Sequence, residues 1–362
     1  MKKLISVLLA VLMLLSVAAF AEGEYRVAMI TDYGDITDQS FNQTTYEAAK
    51  AYCEANGIDF TYYKPNGDST AERVAMVEKA DDDGYNVIVM PGYAFGETIA
   101  EVQEEYPEIN FIALDVSEGD LGGAEVASNV YCAVYKEELC GYMAGYAAVK
   151  LGYTHLGFLG GMAVPAVVRY GFGYVQGADA AAKEIGADVT LEYVYGNQFF
   201  GDADITAYMD NWYQTLGVQV VFACGGGIYS SAAEAAAKVD GAKVIGVDVD
   251  QAAIIDGTYG EGLTVTSAMK GLAATVDTLL AETVAGNFAN YGGKVESLGL
   301  VGTEPAANYV QLAGSTQFGE GFTEEDYAAL VAAMFNGEVT VSDAIDAMPE
   351  TTITVNDLGT VK

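Results

Sequence analysis

A chain of 362 residues with 51 Asp and Glu against 16 Lys and Arg carries a formal net charge of −35. That balance excludes nucleic acid and phosphate-rich partners, which need clustered Lys and Arg, and suits a neutral or cationic small ligand. A single histidine and four cysteines, none in a C-x-x-C pair, argue against zinc or any other metal centre.

The chain opens with Lys2 and Lys3, an apolar run over 4–17, and the A-x-A sequence Ala19-Phe20-Ala21. This predicts a secretory signal peptide over 1–21, cleaved after Ala21, and an exported periplasmic or cell-envelope protein. The run is too short for a convincing membrane span. What remains has the length of two domains. A disulfide is permitted in an exported protein, and Cys132 and Cys140 are the pair that could approach. Buried free thiols are the default.

A short apolar strand over 25–31 leads into DYGDITDQSFNQ, residues 32–43, and then a helix to about 56. Ser40 and Gln43 have the spacing of a capping box, which puts Phe41 at the first helical position. In open α/β sheets ligands bind at the carboxyl edge of the strands, where this stretch falls. It offers the carboxylates Asp32 and Asp38, the amide of Asn42, the ring of Phe41 and a backbone loosened by Gly34. That mixture suits a flat, neutral, hydrogen-bonding ligand, although a capped helix after a βα loop explains it as well.

Next come a strand over 59–64, a helix to about 83 opened by the capping box Ser69-x-x-Glu72, and NVIVM at 86–90. The last is an apolar run typical of a buried parallel strand. A helix over 95–106, the buried strand NFIALD at 110–115 and a strand over 125–131 complete an alternating unit, which implies a parallel sheet with right-handed crossovers. The pattern then restarts. Helices are expected over 135–150, 165–185, 202–216, 229–239 and 269–287. Strands are expected over 155–159, 190–195, 218–223, 243–248 and 263–268, with weaker ones at 295–300 and 308–312. A helix over 323–336 follows, and the tail from 341 has no clear pattern.

Catalysis finds little support. The single histidine, His155, sits inside an apolar strand, and there is no G-x-S-x-G, P-loop lysine or H-E-x-x-H. Binding explains more. Strands end in Asp32, Asp115 and Asp248, while Gly92 and Gly225-Gly226-Gly227 let backbone approach a ligand closely. Phe199 and Phe200 lie in the loop GNQFFGDAD. A cleft between two lobes collects residues from such loops.

The order DYGDITDQSFNQ, FFGD, CGGG, VIGVDVDQ and TSAMK resembles the basic membrane protein (BMP) family, the purine-nucleoside receptor-like substrate-binding lipoproteins of bacterial ABC transporters. The resemblance runs from about 27 to 286. It implies an α/β, type I periplasmic-binding-protein-like fold, with two doubly wound parallel-sheet lobes joined by a hinge. The lobes would be 22–131 with about 268–303, and 132–267 with about 304–362. It further implies a binder with no cofactor that captures a purine nucleoside for an ABC permease by hinge closure. Phe41 and Phe200 would stack on the base, and Asp32, Asn42 and Asp115 would read its edges. Asp248 would accept from ribose hydroxyls, Lys270 would partner the sugar region, and Gly225, Gly226 and Gly227 would let backbone approach it. The family's lipobox cysteine is missing here, so contact with the membrane is expected only through the permease or an unidentified anchor. A sugar or another heterocycle is the alternative ligand. A nucleoside hydrolase using Asp32 and Asp38 with a metal is the alternative class.

Overall fold

The computed structural model describes residues 25–362, so the signal peptide and its cleavage site lie outside the described residues. The first run of elements is β1 (Arg26–Ile30), α1 (Phe41–Asn56), β2 (Asp59–Tyr63), α2 (Thr70–Asp82), β3 (Val87–Pro91), α3 (Phe95–Val102), β4 (Asn110–Leu114) and β5 (Val130–Tyr135). The second is α4 (Glu137–Lys150), β6 (His155–Gly160), α5 (Pro165–Ile185), β7 (Thr190–Tyr195), α6 (Ala203–Asn211), β8 (Val220–Cys224), α7 (Tyr229–Ala236), β9 (Lys243–Asp248), α8 (Ala252–Tyr259) and β10 (Thr264–Lys270). The chain finishes with α9 (Leu272–Val284), β11 (Lys294–Leu298), β12 (Val310–Leu312), α10 (Glu324–Phe335) and β13 (Thr354–Thr360).

These strands form two sheets. The first has six strands in the order β11-β5-β4-β3-β1-β2, and the second has seven in the order β12-β10-β9-β8-β6-β7-β13. Every pairing is parallel except that of β10 with β12. The central strands are buried end to end, as their unbroken apolar runs require, since helices cover both faces of a parallel sheet. In each sheet the strand order reverses once, at β1/β3 and at β6/β8. A doubly wound sheet opens its binding crevice at such points.

The chain passes between the sheets at three places: β5 to α4, β10 to α9, and β11 to β12. Helices α4 and α5 pack unusually close. A methyl group added at Gly141, Gly145, Gly173 or Gly177 would run into backbone of the facing helix. Without those glycines the backbones could not approach, and this approach brings the start of α4 beside Arg169 of α5. All four cysteines are free and buried. Among the described residues no helix is long and apolar enough to cross a membrane.

Several elements differ from expectation. The stretch 125–129 is not strand, because the Gln103 side chain bonds the backbone of Glu125 and Ala127, taking the place of a ladder. A 3₁₀ turn (Glu118–Leu121) precedes it. The expected helix over 202–216 is α6 plus a π turn (Trp212–Leu216), with Asp202 as its N-cap. Helix α8 stands between the expected strands 243–248 and 263–268, where no element is expected. β13, in the featureless tail, adds itself to the edge of the second sheet.

Candidate functional site

Between the carboxyl edges of the two sheets lies a cavity of about 520 Å³. Asp32, Phe41, Asn42 and Asp115 reach it from the first sheet, and Phe200, Gly225, Gly226, Gly227, Asp248 and Lys270 from the second. The structure thus brings all ten candidate ligand-binding residues to one cavity.

The entry to α1 is built differently from the expected capping box. The Ser40 hydroxyl makes no cap hydrogen bond. Asp38 does that work, accepting from the backbone N–H of Ser40 (2.9 Å), Asn42 (3.0 Å) and Gln43 (3.0 Å), and from the Asn42 side-chain amide (3.3 Å). A carboxylate at a helix N-terminus satisfies orphan donors and meets the positive end of the dipole. Ser40 is thereby free to donate to Asp248 Oδ2 across the cleft at 2.6 Å. Asp32 is committed in a similar way: its Oδ1 accepts from Tyr33 N–H (2.6 Å) and Gly34 N–H (2.8 Å). Burial pushes the Asp32 carboxyl up, and these two amides oppose the shift. Both carboxylates of the hydrolase alternative are therefore already bound to backbone amides.

Lys270 is the residue whose setting changes most. It ends β10 rather than opening a helix, because β12 pairs with the strand through Lys270–Val310 before Gly271 breaks it. Its ammonium is buried and lies 2.5 Å from Asp115 Oδ2 and 3.1 Å from Glu137 Oε1. It also lies over the rings of Phe41, Tyr135 and Tyr170 at 5.2, 5.5 and 5.5 Å from their centroids. Burial alone would lower its pKa, but Asp115, Glu137 and Asp248 outweigh that and raise it, so Lys270 stays charged. Glu137 Oε2 in turn accepts from Arg169 Nε at 2.6 Å. A buried chain Arg169–Glu137–Lys270–Asp115 thus runs from α5 to the carboxyl edge of the first sheet.

Asp115 and Asp248 share two features. Burial raises both pKa values against the pull of Lys270, and both backbones are left-handed, with φ of 58° and 65°. Such conformations cost of order 1–3 kcal/mol for a non-glycine residue and collect at ligand sites. One Asp115 oxygen, Oδ1, and the Asn42 carbonyl Oδ1 are buried without a hydrogen-bond partner, as acceptors waiting for a donor would be.

The two phenylalanines of the second sheet differ. Phe199 packs against Gly161 and Gly225, where the φ of Gly225 is 149° and a side chain would collide with the ring. Phe200 is 60% exposed at the cavity, held by a bridge to Gly227. His155 lies away from the cavity, 3.1 Å from Glu192 on β7.

Sequence reasoning missed Ser40 as a cross-cleft donor, and Glu137, Arg169 and Tyr170 altogether. An arginine inside the small and apolar stretch AVVRYGFGY was a readable signal, since a charge there needs a partner. Glu137, in an acidic first turn of a helix, looked like ordinary dipole compensation.

Residues 25–302 match the family model Bmp, described as PnrA-like ABC transporter substrate-binding proteins. The ABC transporter nucleoside-binding protein BmpA of Lactococcus lactis subsp. cremoris is 28% identical over 240 residues, which span 63% of this chain and 65% of that protein. Basic membrane protein B of Borreliella afzelii is 27% identical over 281 residues, 76% of this chain and 78% of that one. The crystal structure of an ABC transporter solute-binding protein from Aeropyrum pernix K1 superposes with a TM-score of 0.67 at 24% identity, covering 88% of this chain and 87% of that chain, and shows the shared fold. With two parallel sheets facing one cleft and a family match over most of its length, the chain belongs to the Bmp family of PnrA-like ABC transporter substrate-binding proteins.

Proposed function

We propose that this protein, exported by the signal over 1–21, captures a purine nucleoside outside the cytoplasm and passes it to an ABC importer. In this reading the two sheets are the two lobes, the three crossings are the hinge, and closure buries the ligand. Members of the family are substrate-binding proteins rather than enzymes. The observation that carries the ligand assignment is the composition of the cleft. It combines aromatic rings from both sheets with an acidic group, Asp248, placed beside the buried cation Lys270. A cavity of about 520 Å³ suits a ligand of nucleoside size, within the usual range of about 300–1,000 Å³. Phe41 and Phe200 would cover the base. Asp32, Asn42 and Asp115 would accept from its polar edges. The glycines 225–227 would lie along the sugar.

Asp248 separates a nucleoside from a free base. An ionised carboxylate only accepts, and it can take both hydroxyls of a ribose diol, which a base does not have. Ser40 occupies one of its oxygens, so the diol would join or replace that bond. Calorimetric titration with guanosine, inosine and hypoxanthine is the test. Wild type should prefer the nucleosides, and Asp248→Ala should lose most of that preference. Equal wild-type affinity for hypoxanthine and inosine would reject the assignment. Release of free base during incubation would make the protein a hydrolase, and binding of a sugar alone would move the ligand class.

A further inference from the structure

The segment after α10 lies beyond the residues matched by the family model, yet it returns to the edge of the second sheet. β13 runs parallel to β7 from Thr354–Thr190 to Thr360–Tyr195. None of its seven residues is buried, so the strand adds almost nothing to the core. Its contribution lies at its far end. Val361 N–H donates to Tyr195 O at 2.8 Å, at the point where the chain leaves β7 for the loop 196–202 that carries Phe199 and Phe200. The Lys362 ammonium bonds Asp202 Oδ2 and lies 3.6 Å from Asp204 Oδ2.

Asp202 is the far anchor of that loop. Its Oδ1 caps α6 by accepting from Asp204 N–H and Ile205 N–H, each at 3.0 Å. Its Oδ2 also takes the Gln198 amide at 2.9 Å, and the same amide donates to Phe200 O at 2.8 Å. On the cavity side the loop is held by Gly227 N–H on Phe199 O at 2.8 Å. The aromatic pair is therefore pinned from within by the glycine loop and from outside by the C-terminal segment. The carboxyl of Asp202 is held down at about 2, chiefly by Lys362, so the pair is ionised at any physiological pH.

We propose that the segment from β13 to Lys362 is a strap that positions the Phe199–Phe200 loop for ligand stacking, with Lys362 and Asp202 as its positioning pair. This rests on the nucleoside reading for the ligand, but the holding of the loop does not. A loop left free to reorient would add an ordering cost to every binding event, and the strap removes it in advance.

Two substitutions separate the contacts. Lys362→Ala removes the ion pair, and Val361→Pro removes the N–H donated to Tyr195. Hydrogen exchange of ligand-free protein should quicken over 196–202 in both variants. Inosine titration should show affinity about two- to fivefold weaker for Lys362→Ala, the range of a partly exposed ion pair. Lys362→Arg should restore it, and about 1 M salt should erase the difference from wild type. In a Phe200→Ala background Lys362→Ala should have no further effect. Unchanged exchange over 196–202 overturns the strap. Faster exchange with unchanged inosine affinity overturns its role in binding, as would an equal effect in the Phe200→Ala background. If wild type does not bind inosine, the nucleoside reading falls, while the exchange measurement still decides whether the strap exists.

Discussion

Replacing Glu137 by Gln should destabilise this protein more than any conservative exchange at its surface. Glu137 is fully buried and lies between two cations, 2.6 Å from Arg169 Nε and 3.1 Å from Lys270 Nζ. Gln keeps the shape and removes the charge. Lys270 then still has Asp115, but Arg169 loses its ionic partner in a largely buried place. Removing one member of a buried ion pair costs about 3–5 kcal/mol, mostly as the desolvation of the charge left behind. At about 2 cal/mol/K of unfolding entropy per residue, each kcal/mol lowers Tm by roughly 1–1.5 °C in a chain of this length, so the expected drop is on the order of 5 °C. The companion variant Glu137→Gln/Arg169→Gln removes both charges and should recover at least half of the loss. Calorimetric or circular-dichroism melting of the ligand-free variants measures this directly. A Glu137→Gln protein melting within about 2 °C of wild type would refute the reasoning, because that charge would then not be holding Arg169. So would a double variant as unstable as the sum of its parts, since the defect would lie in packing rather than charge.

Glu138, next in the chain, should make stability fall with rising pH. Burial pushes its carboxyl up to about 7, with the charge of Glu137 adding to the shift and its own backbone amide opposing it. Between about pH 4.5 and 7 the native state then binds more protons than the unfolded state, so this group's contribution is fully present below the unfolded value and is lost as pH rises through 7. Glu138→Gln should melt higher than wild type at pH 8 and equally at pH 4, and a constant offset at all pH values would disprove the assignment. Gly177→Ala places a methyl against the Tyr142 carbonyl of the facing helix and should cost about 1–3 kcal/mol or more in denaturant unfolding; a neutral result would mean that α4 and α5 can separate freely. Phe41→Ala should weaken nucleoside binding by about 1–3 kcal/mol, the range for a lost stacked base, with little change in the melting of ligand-free protein. Collapse of stability with unaltered affinity would instead make Phe41 a core residue.

Local pattern carried most of the architecture. The cores VIVM, FIAL and VIGV of the runs NVIVM, NFIAL and KVIGVD carry no polar side chain because strands inside a doubly covered sheet have no solvent face, and they stand within β3, β4 and β9. Residues that follow such strands must emerge at the sheet's carboxyl edge, so Asp32, Asp115 and Asp248 could be placed at one cleft without coordinates. The family motifs supplied the rest of that set. Other features depended on partners remote in the chain. Ser40 and Gln43 have the local spacing of a capping box, but Asp38 is closer to the free amides, and Ser40 finds Asp248, a partner 208 positions away. Lys270 reads as the start of a helix until the antiparallel partner β12 extends its strand. Glu137 and Arg169 carry no periodic signal at all. Their pairing exists because four glycines let two helices approach to backbone contact, which is a property of the packed helices and not of either segment alone. β13 shows the same division most plainly: its residues are too exposed to declare a strand by pattern, and only the free edge of β7 makes them one.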